Sequence, residues 1–384
     1  MIMRNFFDFI KAEKLFSILF FLVFMLSLRT LFLSLQGDEI TYNKIATNIL
    51  EGKYYQTSHP SSVIPIVPFL MAFFSTSKIP LLGFILHKLF HLFLTIVALR
   101  FCYLTLSTVI SEQKVLYSIL LLTVVSSGFL STLPSLYPEA IILVTFWGFF
   151  YYFNLPKSVD NFKKLFFLLI LLIFTRYVYA VLGVFVLLYY YSIFTNSRNS
   201  IWKIIFISAI LSTPLLFWFK YVYNIESQNL SEISYFNRFK SDDNPIWYNI
   251  KCGLGLEQHY ETKRINGIPA FISLFVPMTG IRNYIVSSFL LAAVFYGLYL
   301  RNKNKTILNL LIGFSLVFIG FIFAGTGFSR YWLVLLPIIY LSYYLIYARY
   351  FKNTTYFVLL AQSISFILIL NEIRVTFLIF NKLY

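Results

Sequence analysis

The sequence predicts an all-α fold: a polytopic membrane helical bundle with about eleven transmembrane spans in one domain, residues 1–384. Three observations lead to this prediction. Apolar residues make up 59% of the chain and charged residues only 12%, about half the charged fraction typical of a soluble domain. Apolar runs of about 20 residues, the length of a membrane-spanning helix, recur along the chain. The loops between them are alternately rich and poor in Lys and Arg, as expected when basic loops stay in the cytoplasm.

The net charge of +16 is explained by this cytoplasmic excess of Lys and Arg, and no basic run is long enough to indicate nucleic-acid binding. The first apolar run, residues 15–35, is too long for a signal peptide and has no small-residue cleavage site, so we expect it to remain as a span. Arg4, Lys11 and Lys14 precede it and place the N-terminus in the cytoplasm. The first span is therefore expected to end on the outer side.

Residues 36–80 form the first outer loop of this topology, and two adjacent carboxylates, Asp38 and Glu39, lie at its start. An apolar face with the helical period follows them and Gly52 is a stop signal, which predicts a short amphipathic helix in the interface plane. A second apolar piece, 69–74, is too short to cross and predicts an interfacial or re-entrant segment. The apolar face of the first helix consists of Tyr42, Ile45, Ala46, Ile49 and Leu50.

The apolar run at 165–194 is about 30 residues long and is broken at Thr175-Arg176, so it is either one tilted span or a hairpin of two short ones. Basic residues flank both of its ends, which favours the hairpin with Arg176 at its outer tip. A polar outer loop, 224–267, is the longest non-apolar stretch. The remaining spans are predicted at residues 81–106, 115–130, 139–154, 204–223, 268–300, 307–324, 331–347 and 356–370, and the one at 268–300 is interrupted by Pro277 and Gly280.

With this topology several ionisable side chains share the outer membrane edge, where an unpaired charge is costly and therefore marks a candidate site. Asp38 is either the N-cap of its helix or a general base or metal ligand, and these roles are compatible. Glu139 and Arg176 are either site residues or a structural ion pair, and Arg330 is either a site residue or a snorkelling charge. His59 is either a loop residue or a ligand. The outer set is Asp38, Glu39, His59, Glu139, Arg176 and Arg330.

Three polar residues lie inside the predicted span at 81–106. His87 and His91 have the i, i+4 spacing of metal ligands, but no third ligand is evident nearby, so we expect polar contacts within the bundle instead. Lys88 lies between them and is a further candidate for binding the phosphate of a donor.

Two acids and two arginines at one membrane face indicate transfer from a phosphate-linked donor. A carboxylate deprotonates an acceptor hydroxyl, and arginines bind phosphate through forked hydrogen bonds and stabilise it as a leaving group. An activated sugar on the outer side has to arrive on a lipid, because there is no ready nucleotide-sugar pool there. The sequence therefore favours a transferase with a lipid-linked donor.

These residues resemble the GT-C superfamily of integral-membrane glycosyltransferases. They are most similar to the bacterial relatives of dolichyl-phosphate-mannose protein mannosyltransferases and of the lipid A aminoarabinose transferase. Only the Asp-Glu loop is distinctive among the matching segments, and Pro60-Ser61 departs from the two prolines that those enzymes often have. The chain is also shorter than many members, and we expect no counterpart of their C-terminal soluble domain. The matching segments are Gly37 to Gly52, His59-Pro60 through Pro68, Thr175-Arg176-Tyr177, and Arg330-Tyr331 through Pro337.

The resemblance implies a GT-C type bundle and an inverting transfer from a polyprenyl-phosphate sugar to a hydroxyl of a glycan, lipid or protein acceptor. The reaction would take place at the outer face of a bacterial inner membrane, with Asp38 as the base. Some members use a divalent metal near this loop, which Asp38 and Glu39 would hold here. The candidate residues, from chemistry and resemblance together, are Asp38 and Glu39 for catalysis, Arg176, Arg330 and Lys88 for the donor, and His59, Glu139 and Tyr331 in support.

Two other functions stay open at this point. A flippase or transporter of lipid-linked sugars would share the spans and the basic residues, but it would show inverted repeats and midplane polar residues, and the sequence has neither. A polysaccharide polymerase or ligase would have a large late outer loop with paired arginines, and Arg238 and Arg264 lie in the 224–267 loop. The acidic pair after the first span argues against this last interpretation.

Overall fold

The computed structural model describes residues 11, 13–53, 63–75, 80–196, 198–228, 245–258, 267–275 and 283–383. Within these ranges every regular element is a helix, which confirms the all-α prediction. Six of the described helices are long and apolar enough to cross a membrane. The total of eleven spans stays a prediction, and His59 lies outside the described residues.

Within the described ranges the helices follow one another along the chain with four short 3₁₀ segments between them. The 3₁₀ segments are Leu28–Phe32, Tyr177–Leu182, Ile268–Leu274 and Leu333–Leu335. The α-helices are α1 (Lys14–Ser27), α2 (Asp38–Leu50), α3 (Ile66–Ser75), α4 (Pro80–Leu106), α5 (Gln113–Val125), α6 (Ser127–Thr132), α7 (Glu139–Asn154), α8 (Val159–Thr175), α9 (Gly183–Asn196), α10 (Arg198–Glu226), α11 (Pro245–Leu254), α12 (Tyr284–Tyr299), α13 (Lys305–Phe323), α14 (Ser329–Trp332), α15 (Leu336–Tyr350) and α16 (Thr354–Leu383).

Helix α7 lies at the centre of the bundle. Every residue from Glu139 to Phe150 is buried, and α7 packs chiefly against α4 and α8. Trp147 is fully buried, and its indole Nε1 donates a hydrogen bond to the Val334 carbonyl at 3.1 Å. Because this helix is buried on all sides over these residues, it lies inside the bundle and not at its lipid-facing surface. The first residue of this central helix is Glu139, so its carboxylate is fixed at one end of the protein core.

Contacts between loops divide the helix ends into two sets. Thr108 Oγ1 donates to Thr306 Oγ1 at 3.2 Å in one set, and the Tyr137 hydroxyl donates to the Gln36 carbonyl at 3.1 Å in the other. The first set contains several basic residues, so the predicted difference in basic charge between alternate loops becomes a difference between the two ends of the folded molecule. These residues are Lys157, Arg301, Lys303 and Lys352. We call the set of loops 107–112, 155–158, 300–304 and 351–353 the basic end, and the set 33–37, 133–138, 176 and 324–328 the site end.

The chain reverses direction between α8 and α9. The Ser158 N–H, just before α8, donates to the Tyr189 hydroxyl at 3.0 Å, and that hydroxyl donates to the Ser158 carbonyl at 2.9 Å. The ring of Phe162 lies 5.5 Å from that of Tyr189. The start of α8 therefore lies against the latter part of α9. This confirms the predicted hairpin, with Arg176 at its tip, over a single tilted span.

The predicted span at 268–300, which was expected to be interrupted, contains two separate elements among the described residues. The Ile272 N–H donates to Ser287 Oγ at 3.1 Å, and that hydroxyl donates to the Pro269 carbonyl at 3.3 Å. The 3₁₀ segment Ile268–Leu274 is therefore packed against the first turns of α12 and does not continue into it. Pro277 and Gly280, which both disfavour a continuous helix, lie between the two elements in the sequence.

The predicted end of the last helix near residue 370 is wrong, because α16 continues to Leu383. The Glu372 carboxylate in this extension accepts a hydrogen bond from Arg29 Nη2. Arg29 Nη1 donates to the Glu372 carbonyl at 2.9 Å and to Thr376 Oγ1 at 2.6 Å. The two charged side chains are only 6% and 4% exposed, so pairing allows the helix to carry a carboxylate inside the bundle.

Candidate active site

Helix α2 begins directly after the first span and brings Asp38 to the site end. Gly37 is its N-cap, with φ +54°, a conformation that glycine adopts without strain. Asp38 is the first helical residue and makes no capping hydrogen bond, so the alternative of Asp38 as the N-cap is wrong. Ile45 and Ala46 are buried, as the predicted apolar face requires, and Gly52 ends the helix with φ +72°.

Asp38 is engaged by an arginine that is 292 residues away in sequence. Arg330, in the single-turn helix α14, donates from Nη2 to Asp38 Oδ2. The Asp38 side chain is 47% exposed and that of Arg330 is 25% exposed. Asp38 is thus held in place by a cation while a large part of its carboxylate remains accessible.

A second ion pair lies deeper, directly behind the first. Arg176 Nη2 donates to Glu139 Oε1 at 2.7 Å, and the two side chains are 14% and 0% exposed. The Nε of Arg330 lies 3.6 Å from the same Glu139 oxygen, so this carboxylate is shared by both arginines. Glu139 is also the first residue of α7, where the helix dipole stabilises a negative charge. The two acids and two bases form one continuous charge cluster.

Tyrosines surround the two guanidinium groups. The Arg176 guanidinium lies 3.5 Å from the centre of the Tyr331 ring, and that of Arg330 lies 4.8 Å from the Tyr137 ring, both within cation–π distance. Burial raises the pKa of Tyr42, and the charge of Asp38 raises it further, so its hydroxyl stays protonated at neutral pH. Tyr42 also interacts with the charges of Arg176 and Arg330. It borders the cluster on the α2 side.

Tyr137 and Tyr42 are the site residues that the sequence analysis missed. Tyr42 was assigned only to the apolar face of α2. Tyr137 lies in the short turn directly before Glu139, and this position next to a predicted site residue could have identified it as a candidate. Burial raises the pKa of the Tyr137 hydroxyl, and the charge of Glu39 adds to the effect.

The cluster contains polar atoms that other described residues do not satisfy. Arg176 Nε and Glu139 Oε2 are buried and have no hydrogen-bond partner within the described part of the chain. The same holds for the hydroxyl of Tyr179, which interacts electrostatically with both residues. Buried polar groups are nearly always paired, so this interior retains unused capacity for hydrogen bonding.

Glu39 and Lys88, two other predicted site residues, are used elsewhere. Glu39 is 3% exposed, and its two oxygens accept the N–H groups of Gln36 and Leu136, each at 2.7 Å. Lys88 is buried, and its ammonium donates to the carbonyls of Thr30 at 2.8 Å and Leu33 at 2.6 Å. Both side chains stabilise backbone at the exit of the first span, and neither has a hydrogen bond to Arg176 or Arg330.

A metal ion held by Asp38 and Glu39, which the resemblance implies, stays a prediction. Both oxygens of Glu39 accept backbone N–H groups, and Asp38 Oδ2 accepts from Arg330. Within the described ranges there is no group of three His, Cys, Asp or Glu side chains that could hold a metal.

The two histidines of α4 contact the bundle interior. His91 Nδ1 donates to the Ser135 carbonyl at 2.6 Å, which confirms the expected polar contact for His91. The His87 ring instead stacks on Phe74 with ring centres 4.8 Å apart, and neither of its nitrogens has a hydrogen-bond partner among the described residues. His91 therefore ties α4 to the turn that leads into Glu139.

No protein-family model matches the chain, and no curated protein or solved structure matches it. The likeness to GT-C enzymes thus rests on the four matching sequence segments alone.

Proposed function

We propose that this protein is a glycosyltransferase of the GT-C type that moves a sugar from a polyprenyl-phosphate donor to an acceptor hydroxyl at the outer membrane face. The observation that carries the proposal is the half-exposed carboxylate of Asp38, bonded to Arg330 where the first apolar helix meets α2. A reactive carboxylate and a phosphate-binding cation at the end of an apolar helix suit a substrate whose lipid lies in the membrane and whose headgroup lies outside.

Asp38 acts as the general base in this proposal. Its carboxylate takes the proton of the acceptor hydroxyl while the acceptor oxygen forms a bond to the anomeric carbon of the sugar. The bond from that carbon to the phosphate oxygen breaks, and its electron pair leaves with the phosphate. A single displacement of this kind inverts the anomeric configuration. Asp38 suits the role because its carboxylate is partly exposed and its orientation is fixed by Arg330.

The two arginines stabilise the leaving polyprenyl phosphate. A guanidinium donates through a planar fork that matches phosphate oxygens, and it stays charged at any physiological pH. Arg330 is the partly exposed member and contacts the donor first, while Arg176 adds positive charge behind it. Glu139 and the Tyr331 ring hold the two guanidinium groups in place, which lowers the cost of organising them during the reaction.

The direct test is transfer of a radiolabelled sugar from polyprenyl-phosphate donors by the purified protein in detergent, with glycan, lipid and peptide acceptors. We expect a labelled product that the Asp38→Asn variant does not form. The same protein in vesicles distinguishes the transporter alternative. Movement of the donor across the vesicle membrane with no glycosidic product would overturn the proposal.

The side of the membrane is tested by cysteine labelling. Lys53 follows α2 and is exposed, and Lys303 is in a loop of the basic end, so each is replaced by Cys in turn. The native Cys102 and Cys252 are both buried. We expect an impermeant maleimide to label position 53 in intact cells and position 303 only after permeabilisation. Labelling in the reverse order would place the site in the cytoplasm.

A further inference from the structure

Glu39 connects the two segments of the chain that carry the acidic residues of the site. One oxygen accepts the Gln36 N–H and the other accepts the Leu136 N–H, both at 2.7 Å. Gln36 lies two residues before Asp38, and Leu136 lies three residues before Glu139. A single buried carboxylate thus bonds the backbone that enters α2 and the backbone that enters α7.

Two further contacts strengthen this connection. The Tyr137 hydroxyl donates to the Gln36 carbonyl at 3.1 Å, between the same two segments. His91 holds the second segment from the other side through the Ser135 carbonyl. Hydrogen bonds from backbone N–H groups to a carboxylate are charge-assisted and short, so they fix geometry better than neutral ones. The spacing between Asp38 and Glu139 therefore depends on Glu39.

We propose that Glu39 is a positioning residue, which sets the distance between Asp38 and the arginine pair held by Glu139 and does not itself contact the reacting atoms. The inference rests on the proposed transferase function for its kinetic consequences. It differs from a catalytic role because Glu39 is 3% exposed and each of its oxygens already accepts a backbone N–H. The carboxylates of two neighbouring residues thus have separate tasks: Asp38 takes a proton, and Glu39 holds the backbone.

The test combines a substitution with a covalent tether. Glu39→Gln has nearly the same shape but replaces one acceptor oxygen by an NH₂ group, which cannot accept from a backbone N–H. We expect its turnover to fall by about 10- to 100-fold, the size of effect that a displacement of about 1 Å produces. Donor KM should change little, because the arginines stay in place.

The tether joins Gln36→Cys to Ser135→Cys with a short bifunctional thiol reagent. Both substitutions leave the backbone groups that make the hydrogen bonds intact. Cross-linking should be slower in the Glu39→Gln protein than with Glu39 present, and once formed the tether should restore turnover to within about threefold of wild type, since it replaces the lost connection. The tether should not rescue Asp38→Asn.

A matched control uses Thr108→Cys with Thr306→Cys, a hydrogen-bonded pair at the basic end, which should not rescue Glu39→Gln. If the 36–135 tether forms and the turnover of Glu39→Gln does not recover, Glu39 does more than hold the backbone and the inference is wrong. If cross-linking rates are identical with Glu39 and with Gln, the inference is also wrong. The cross-linking measurement needs no substrate, so it decides the point even if the wild-type protein transfers no sugar and the proposed function fails.

Discussion

Among the described residues two arginine–glutamate pairs are buried, and they differ in how many of their donors and acceptors are hydrogen-bonded. Arg29 donates to the Glu372 carboxylate, to the Glu372 carbonyl and to Thr376, and the two charged side chains are 6% and 4% exposed. Arg176 donates to Glu139, but its Nε and the second Glu139 oxygen have no partner among the described residues. Glu139 is also shared with Arg330, whose partner Asp38 is 47% exposed.

The difference is the one expected between a structural ion pair and a binding site. A fully hydrogen-bonded charge pair can hold helices together but has no donor or acceptor left to bind a ligand. A buried pair with unpaired donors and acceptors reduces stability, and such groups in membrane proteins usually mark function. The Arg29–Glu372 pair joins α16 to the end of the first span, and the Arg176–Glu139 pair lies directly behind Arg330 and Asp38 in the proposed site.

The largest effect on stability is expected from Arg29→Ala. It leaves Glu372 buried and unpaired, which typically costs about 3–5 kcal/mol, and donor affinity should be unaffected. Thermal unfolding in detergent measures the loss. The control is Arg29→Met with Glu372→Met, which removes both charges and should recover most of the stability. Weaker donor binding at unchanged stability would show that this pair is a site as well.

The next prediction concerns Asp38→Asn, which keeps the size of the side chain but removes the base. Turnover should fall by about a hundredfold or more. Unfolding should change little, because an exposed ion pair contributes at most about 1 kcal/mol. Sugar transfer and melting temperature are measured on the same preparation, with Glu51→Gln, an exposed acid at the end of α2, as the control. An Asp38→Asn protein that turns over normally would remove Asp38 from the mechanism.

Arg176→Lys and Arg330→Lys should each weaken donor binding by about tenfold, because an ammonium cannot supply the planar fork of a guanidinium. Arg176→Lys should also lower the melting temperature more than Arg330→Lys, since Arg176 is the more buried of the two. Titration with a polyprenyl phosphate measures the affinity. Wild-type affinity in both Arg176→Ala and Arg330→Ala would show that the phosphate binds elsewhere.

The smallest effect on stability and activity is expected for an exposed ion pair in the first turns of α8, next to the basic end. Lys164 and Asp160 form an ion pair at 2.6 Å with i, i+4 spacing, but their side chains are 46% and 70% exposed. Solvent screens such a pair, so Lys164→Ala should leave both melting temperature and sugar transfer unchanged. A loss of stability as large as that of Arg29→Ala would mean that exposure does not distinguish the ion pairs of this protein.

Local patterns in the sequence predicted many of the helical elements. The apolar runs, the helical period of α2, its stop at Gly52 and the break at Arg176 all appear in the structure, because each depends on residues a few positions apart. The gathering of Asp38, Glu139, Arg176 and Arg330 was also predicted. The assignment of each loop to one side of the membrane made this prediction possible, because alternate loops of a membrane bundle return to the same end.

Tertiary structure alone decided two of the ion pairs, Arg330–Asp38 and Arg29–Glu372. Arg330 and Asp38 are 292 residues apart and Arg29 and Glu372 are 343 apart, and helix packing, not a local pattern, selects such partners. The same reason explains the corrected assignments. Glu39 was expected in the reaction but bonds two backbone segments, and Lys88 was expected at the donor but bonds carbonyls at the end of the first span. Composition and spacing show that a charge lies at the site end, whereas the direction in which its side chain points depends on neighbours that only the folded chain supplies.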